Sequence, residues 1–240
     1  MYNTAQFEKD LNALGITLSE KQIQQFMRYY ELLVEWNSFM NLTGITEFEE
    51  VMKKHFVDSV SLVKALKLED KELSLIDIGT GAGFPGLPLK IVFPNLKVTL
   101  LDSLNKRIKF LDEVIAQLGL EQIDTIHGRA EDYAKPELLR EKYDICVSRA
   151  VANLSTLSEY CLPFVKVGGY FISYKSEKVS DEAMMAKNAI QLLGGKVSEQ
   201  VEFYLPDSDI YRNLFVVEKK HNTPKKYPRK AGLPAKEPLK

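Results

Sequence analysis

Cysteine is nearly absent. Cys146 and Cys161 are the only two in 240 residues, and neither has a CxxC or Cys/His neighbourhood. That excludes a disulfide framework and a structural zinc site. No apolar run approaches the roughly 18 residues that a membrane-crossing helix needs. The first ten residues, Met-Tyr-Asn-Thr-Ala-Gln-Phe-Glu-Lys-Asp, lack the basic and apolar regions of a secretory signal. A cytoplasmic protein with no membrane partner is the expectation. Net charge is also small, with 32 basic against 33 acidic residues, but the balance conceals an asymmetry. From Lys219 onward there are eight Lys/Arg and one acid, so this end carries +7 and residues 1–218 carry −8. An acidic body with a basic tail points to a polyanionic partner.

What is present is organised around Leu73-Ser-Leu-Ile-Asp77-Ile-Gly79-Thr-Gly81-Ala-Gly83-Phe84-Pro85-Gly86-Leu-Pro88-Leu-Lys-Ile-Val92. The apolar run before Gly79 suits a buried parallel strand, the glycines suit a turn close to a ligand, and Pro85 and Pro88 suit the first turn of a helix. Gly81 to Gly86 also satisfies the dinucleotide fingerprint, with Asp102 about 20 residues on, where an acid for a ribose is expected. Asp77 separates the two cofactor classes. A carboxylate at the strand's end repels a pyrophosphate and attracts a ligand carrying an ammonium and a sulfonium, which S-adenosylmethionine (SAM) does.

Taken in order, residues 1–68 read as an N-terminal helical cap. Thr4 is placed to cap a first helix, Ser19 with Gln22 forms a capping box for a second, and Thr46 with Glu49 repeats that signature before a third. Residues 69–220 alternate strands and helices, with strands at 97–101, 122–127, 143–148 and 170–173, the last entered through Gly168-Gly169. Two further strands at 197–205 and 213–218, joined only by a loop, are expected to pair antiparallel. The fold class is therefore α/β: a doubly wound, Rossmann-like SAM-dependent methyltransferase sheet with an antiparallel C-terminal hairpin and an N-terminal helical extension. Residues 221–240 hold four prolines and little to bury, a tail expected to be extended or disordered when free.

Ligands of such sheets sit at the carboxyl ends of the strands. Asp102 is placed there to accept from ribose hydroxyls or, as an exposed acid, to cap the helix of Lys106 and Arg107. Gly128-Arg-Ala-Glu131 is open to lining an adenine pocket or to being an ordinary polar loop. Arg149 is open to four roles: holding the SAM carboxylate, gripping a phosphate, stacking on a base, or a structural ion pair. The Asp/Asn-Pro-Pro-aromatic run of amino-group methyltransferases is missing here, and Cys146 lies in mid-strand, unlike the exposed nucleophile of cytosine-C5 enzymes. An atom already nucleophilic, such as guanine N7, then fits as the acceptor: no proton has to leave and no general base is needed. No catalytic residue is assigned on this reading. In the cap, Trp36-Asn37, Asn41-Leu-Thr43 and His55 with Asp58 and Ser59 lie near helix ends, where they either close over the site or serve as caps. His55 and Asp58 without a third ligand do not make a metal site.

The residues so collected resemble the RsmG (GidB) family of bacterial 16S ribosomal RNA guanine-N7 methyltransferases. The resemblance is carried by Asn41-Leu-Thr43, His55-Phe-Val-Asp58-Ser59, the Asp77 to Gly86 loop and Asp102 to Leu111. Gly128-Arg-Ala-Glu131, Ser148-Arg-Ala150 and Thr223-Pro-Lys-Lys-Tyr-Pro-Arg-Lys-Ala-Gly232 complete it. It implies methyl transfer from SAM to N7 of guanine 527 of 16S rRNA, free or in the small ribosomal subunit. By the family pattern Gly79, Phe84, Ala130, Glu131 and Arg149 match SAM contacts alongside Gly81 of the loop, with Asp102 the ribose acid. In the tail, Lys225, Lys226, Arg229 and Lys230 around Tyr227 suit RNA phosphates and one base. The alternatives from other classes are a nicotinamide-dependent oxidoreductase and a non-catalytic RNA-binding protein.

Overall fold

A computed structural model describes residues 2–68, 72–177 and 179–239. Its seven strands form one sheet in the order β3-β2-β1-β4-β5-β7-β6: β1 Ser74–Ile78, β2 Lys97–Asp102, β3 Ile123–His127, β4 Tyr143–Arg149, β5 Val165–Lys175, β6 Gly195–Tyr204 and β7 Tyr211–Lys219. The first five run parallel, and β7 is antiparallel to both β5 and β6. The expected hairpin is present, with β7 inserted between β5 and β6. Chain order reverses between β1 and β4, which opens the crevice at their carboxyl ends.

Both faces of the sheet are covered at its centre, so the inner strands are largely apolar, while the edge strands β3 and β6 are partly exposed. In β4, Ile145 and Val147 face one core while Cys146 faces the other; in β7, Leu214 and Val216 alternate with Phe215 and Val217 in the same way. The first face is covered by α5 Gly86–Val92, α6 Asn105–Leu118 and the N-terminal helices α1 Ala5–Ala13 and α2 Glu20–Met40. The second is covered by α7 Ala130–Tyr133, α8 Leu154–Cys161 and α9 Ser180–Leu192. Phe7, Phe26 and Phe56 of the N-terminal segment share one core with Leu87, Leu100 and Phe110. Cap glutamines also serve carbonyls at helix ends: Gln22 Nε2 donates to Ile91 O (2.8 Å) and Val92 O (3.1 Å), and Gln25 Nε2 donates to Leu118 O (2.8 Å).

Several local expectations need correction. The Ser19/Gln22 capping box is formed, but the other two caps are not. Thr4 stands at the head of α1 in a helical conformation, and its hydroxyl donates to Glu8 Oε1 (2.6 Å) instead of accepting an amide. α3 Phe48–Val51 starts after Glu47, while the carbonyl of Thr46 accepts from Tyr30 (3.0 Å). The chain then widens into a π-helical turn, Met52–Val57, before α4 Asp58–Val60 and a 3-10 turn, Ser61–Lys64. Strand β5 begins before the two glycines, which lie inside it: a Cβ on Gly169 would stand 2.5 Å from the Asp144 carbonyl, and the β4 register shifts between Tyr143 and Ile145. They mark a bulge in the strand rather than its entry. The boundary expected at 68/69 abuts residues 69–71, outside the described residues.

The tail differs most from expectation. Instead of standing free it lies on the second face of the sheet. Arg140 donates to the carbonyls of Thr223, Pro224 (3.2 Å) and Tyr227 (2.7 Å). Tyr227 is buried in the core beneath that face, and the segment ends in α10 Leu233–Lys236. The body, through Arg140, thus supplies donors that hold these carbonyls.

Candidate functional site

The crevice at the ends of β1 and β4 has two halves. The first is the glycine loop. Gly79, Gly81 and Gly83 have φ of +69°, +64° and +98°, a region that side chains rarely enter. Two carboxylates hold the loop from below through backbone amides. Asp77 is fully buried, and its Oδ2 accepts from the Thr80 hydroxyl (2.7 Å) and Gly86 N (2.9 Å). Its Oδ1 is buried and has no partner. Burial raises the pKa to about 6, with the Thr80 and Gly86 hydrogen bonds opposing the shift. Asp102, 1% exposed, accepts from Gly81 N (2.9 Å) and Arg107 Nη1 (3.1 Å) on Oδ2 and from Leu104 N (2.9 Å) on Oδ1. It is a buried acid, not the exposed one of the capping alternative, although it does hold the head of α6. Next in line are Ala130 and Glu131 at the head of α7, both buried, with Glu131 Oε1 accepting from Gly232 N (2.8 Å).

The second half lies where the N-terminal helices meet β4, β5 and β7. Asp58, 3% exposed, receives Arg149 Nη1 on Oδ2 (2.8 Å) and Arg212 Nε on Oδ1 (2.7 Å). Removing one member of so buried an ion pair leaves an unpaired charge and costs about 3–5 kcal/mol. The π-helical turn presents Lys54 and His55 to the same group. Lys54 O accepts from Arg149 Nη1 (3.4 Å), and the His55 ring bridges Thr43 Oγ1 (2.8 Å) and Arg149 Nη2 (3.4 Å). Burial, then the Arg149 charge, lower the His55 pKa to about 3, so the ring is neutral at physiological pH. These groups line a cleft of about 410 Å³ with Tyr174, Lys175 and Arg212.

Phe84 joins the halves. It stands in the glycine loop, with the His55 ring stacked on it at 4.5 Å and the Arg149 guanidinium 5.0 Å from its centroid. Tyr29 stacks nearby (5.5 Å) and donates its hydroxyl to the Ala82 carbonyl. Of the four roles open to Arg149, the ion pair is made, with His55 and Asp58 of the cap as its neighbours. Asn37 Oδ1 holds the amides of Leu42 (2.7 Å) and Thr43 (2.9 Å), which sets the bend that carries Thr43 to His55.

Two of the sequence-expected residues are turned away from solvent. Tyr227 is buried, and Arg229 grips the fully buried Glu159 through Nε (2.9 and 3.1 Å) and Nη2 (2.7 Å). A free aromatic face flanked by Arg229 is therefore not what this segment offers, while Lys225, Lys226 and Lys230 are exposed. Missed altogether were Arg212 and Tyr174, which enter through β7 and β5; nothing in their local sequence marks them. Among the described residues no three His, Cys, Asp or Glu side chains are grouped to hold a metal ion, and no helix is long and apolar enough to cross a membrane.

The first half fits SAM. The buried, unpartnered Asp77 Oδ1 suits an ammonium, and the Asp102 carboxylate next to Gly81 suits a ribose. Residues 22–211 match the family model GidB, described as rRNA small subunit methyltransferase G. The chain is 55% identical over 239 residues to the ribosomal RNA small subunit methyltransferase G of Lachnoclostridium phytofermentans, covering 100% of this chain and 98% of that one. It is 56% identical over 227 residues to the protein of the same name from Alkaliphilus metalliredigens, covering 95% of each. Among solved structures, a SAM-dependent methyltransferase from Aquifex aeolicus superposes with a TM-score of 0.51 at 18% identity, over 70% of this chain and 92% of that one, a likeness of fold. With nearly the whole length matched at more than half identity, the chain belongs to the GidB family, rRNA small subunit methyltransferase G.

Proposed function

We propose that the protein methylates small-subunit ribosomal RNA at guanine N7, with SAM as donor. The observation that carries this reading is the adjacency, across Phe84, of an acidic amide-lined loop and a cleft rich in arginine and lysine. A sulfonium cofactor fits the first and a polyanion the second. When bound, SAM supplies an electrophilic methyl group; N7 forms the new C–N bond as the C–S bond breaks, leaving S-adenosylhomocysteine and a cationic guanine.

The chain's own groups have the work of binding and alignment. Asp77 offers its unpartnered oxygen to the ammonium, Asp102 accepts from ribose hydroxyls while it holds the loop amides, and Ala130 with Glu131 borders the adenine. Lys54, Lys175, Arg149 and Arg212 face the RNA, with Phe84 and Tyr174 as ring surfaces for the base. Neutral His55 adds no charge near the methylated base. With a pKa of about 3 it is too weak to act as a base at neutral pH, in keeping with an acceptor that has no proton to lose. Catalysis then rests on alignment of N7 with the methyl–sulfur bond. The exposed Lys225, Lys226 and Lys230 extend the cationic surface toward phosphates. The nicotinamide alternative finds no support, since Asp77 at the end of β1 would confront a pyrophosphate with a carboxylate.

The test is transfer of a tritiated methyl group from SAM to 16S rRNA and to small subunits prepared from cells lacking the modification. Site mapping by chemical cleavage at 7-methylguanine should reveal a single guanine. SAM binding without incorporation into either substrate would leave a non-catalytic RNA-binding protein as the answer.

A further inference from the structure

The docked C-terminal segment lies outside the 22–211 match and touches the cofactor half of the crevice at one place. α7 is only four residues long, and its N-cap, Arg129, makes no side-chain capping bond. So short a helix does not hold its own position. Four contacts from the tail meet it or its support. Gly232 N donates to Glu131 Oε1 (2.8 Å) from a backbone at φ +83°. Tyr227 belongs to the same apolar core as Ala130 and Ala134. Arg229 closes on Glu159 of α8 with its backbone amide (2.8 Å) and its guanidinium, and Nη2 also donates to Glu237 O (2.7 Å). Thr156 of α8 adds a hydroxyl to Pro234 O (3.2 Å).

We propose that residues 223–237 form a strap that positions Ala130 and Glu131 for the cofactor, with Arg229 and Gly232 as its positioning residues. This rests on the reading of Ala130–Glu131 as the adenine border. The strap sets apart two kinds of basic residue in one short stretch. Arg229 is turned inward to a buried carboxylate and acts on the cofactor through α8 and α7. Lys225, Lys226 and Lys230 are turned outward, where a nucleic acid can reach them.

The experiment compares wild type, Arg229→Ala and Arg229→Lys by SAM titration, methyl-transfer kinetics and thermal unfolding. Arg229→Ala should raise Kd and KM for SAM about tenfold, the loss of one or two charge-assisted hydrogen bonds. The value of kcat at saturating SAM and the KM for RNA should stay within about twofold. Arg229→Lys, which restores a donor to Glu159, should recover most of the affinity. Hydrogen exchange on the wild type supplies a readout that needs no variant to fold: SAM should slow exchange at the amides of Arg229 and Gly232. A lowered Tm with unchanged SAM affinity overturns the strap, as does exchange in 223–237 that is indifferent to SAM. A rise in the KM for RNA alone overturns it too and makes Arg229 an RNA contact. Wild type that fails to bind SAM overturns the cofactor reading itself, and is thereby distinguished from failure of the strap.

Discussion

The two halves of the crevice each turn on buried carboxylates, but they pair them differently. Asp77 and Asp102 are held chiefly by amides of their own loop: Gly86 is nine residues from Asp77, and Gly81 is 21 from Asp102. Asp58 is held by guanidiniums, 91 residues away in Arg149 and 154 away in Arg212. An amide-held carboxylate shapes a rigid pocket for a small cation. A carboxylate shared by two arginines cancels part of their charge and fixes their planes while leaving donors free for phosphates. On the function proposed above, the loop half would hold the cofactor and the arginine half would receive the polyanion, where the N-terminal helices dock on the sheet.

The strongest break of this comparison is Asp58→Ala, which leaves two arginines without their counter-ion. A stability loss of about 3–5 kcal/mol is expected by chemical denaturation, with methyl transfer lost and SAM affinity nearly retained. Equal damage to SAM binding would show that the halves are one unit. On the other side, Asp102→Ala should weaken SAM by about 1.5–3 kcal/mol in calorimetry and leave RNA affinity alone. Unchanged SAM affinity with an intact thermal transition would remove Asp102 from the site.

Proton linkage sharpens the same division. Asp77 is raised from 3.8 to about 6 in the fold, so its neutral form is favoured: its contribution to stability is full below pH 4 and is lost as pH rises through 6. A cation at Oδ1 reverses the preference, so SAM binding should release a proton near pH 6 and tighten as pH rises through that value. Calorimetry in buffers of different ionisation enthalpy reads this, and Asp77→Asn should abolish it. His55 runs the other way. Lowered from 6.5 to about 3, it contributes stability above pH 6.5 that is lost as pH falls toward 3, and its effect belongs to the arginine half.

Smaller again is the tail's outer face. The triple change of Lys225, Lys226 and Lys230 to Ala should flatten the salt dependence of RNA binding by about 2 log units per log unit of salt, at roughly 0.7 per phosphate on a single strand. SAM affinity should be untouched, in contrast to Arg229→Ala. The smallest expected effect is none. Single-turnover rates at saturating substrates should be flat from about pH 6.5 to 8.5, and a slope near one would require a general base that neither half provides.

Much of the loop half was legible because its cause is local. Apolar residues before three glycines, prolines after them, and acids at 77 and 102 each constrain the backbone within a few residues of themselves. The Ser19/Gln22 box was readable for the same reason, whereas Thr46 misled because the signature says nothing of Tyr30, which takes its carbonyl. The glycines of β5 pointed to a turn; only the neighbouring Asp144 carbonyl shows why they lie within a strand.

By itself, then, the sequence determined the alternation of strands and helices, the antiparallel ending, the loop and its two acids, since periodicity and backbone restriction act over short spans of chain. Tertiary structure alone decided that Asp58 faces Arg149 and Arg212, that Phe84 packs against both a histidine and a guanidinium, and that a basic, proline-rich tail turns Tyr227 and Arg229 inward. Those outcomes depend on which strands become neighbours and which helices cover them. Burial then selects, among many charged residues of similar local sequence, the few that find a partner across the fold.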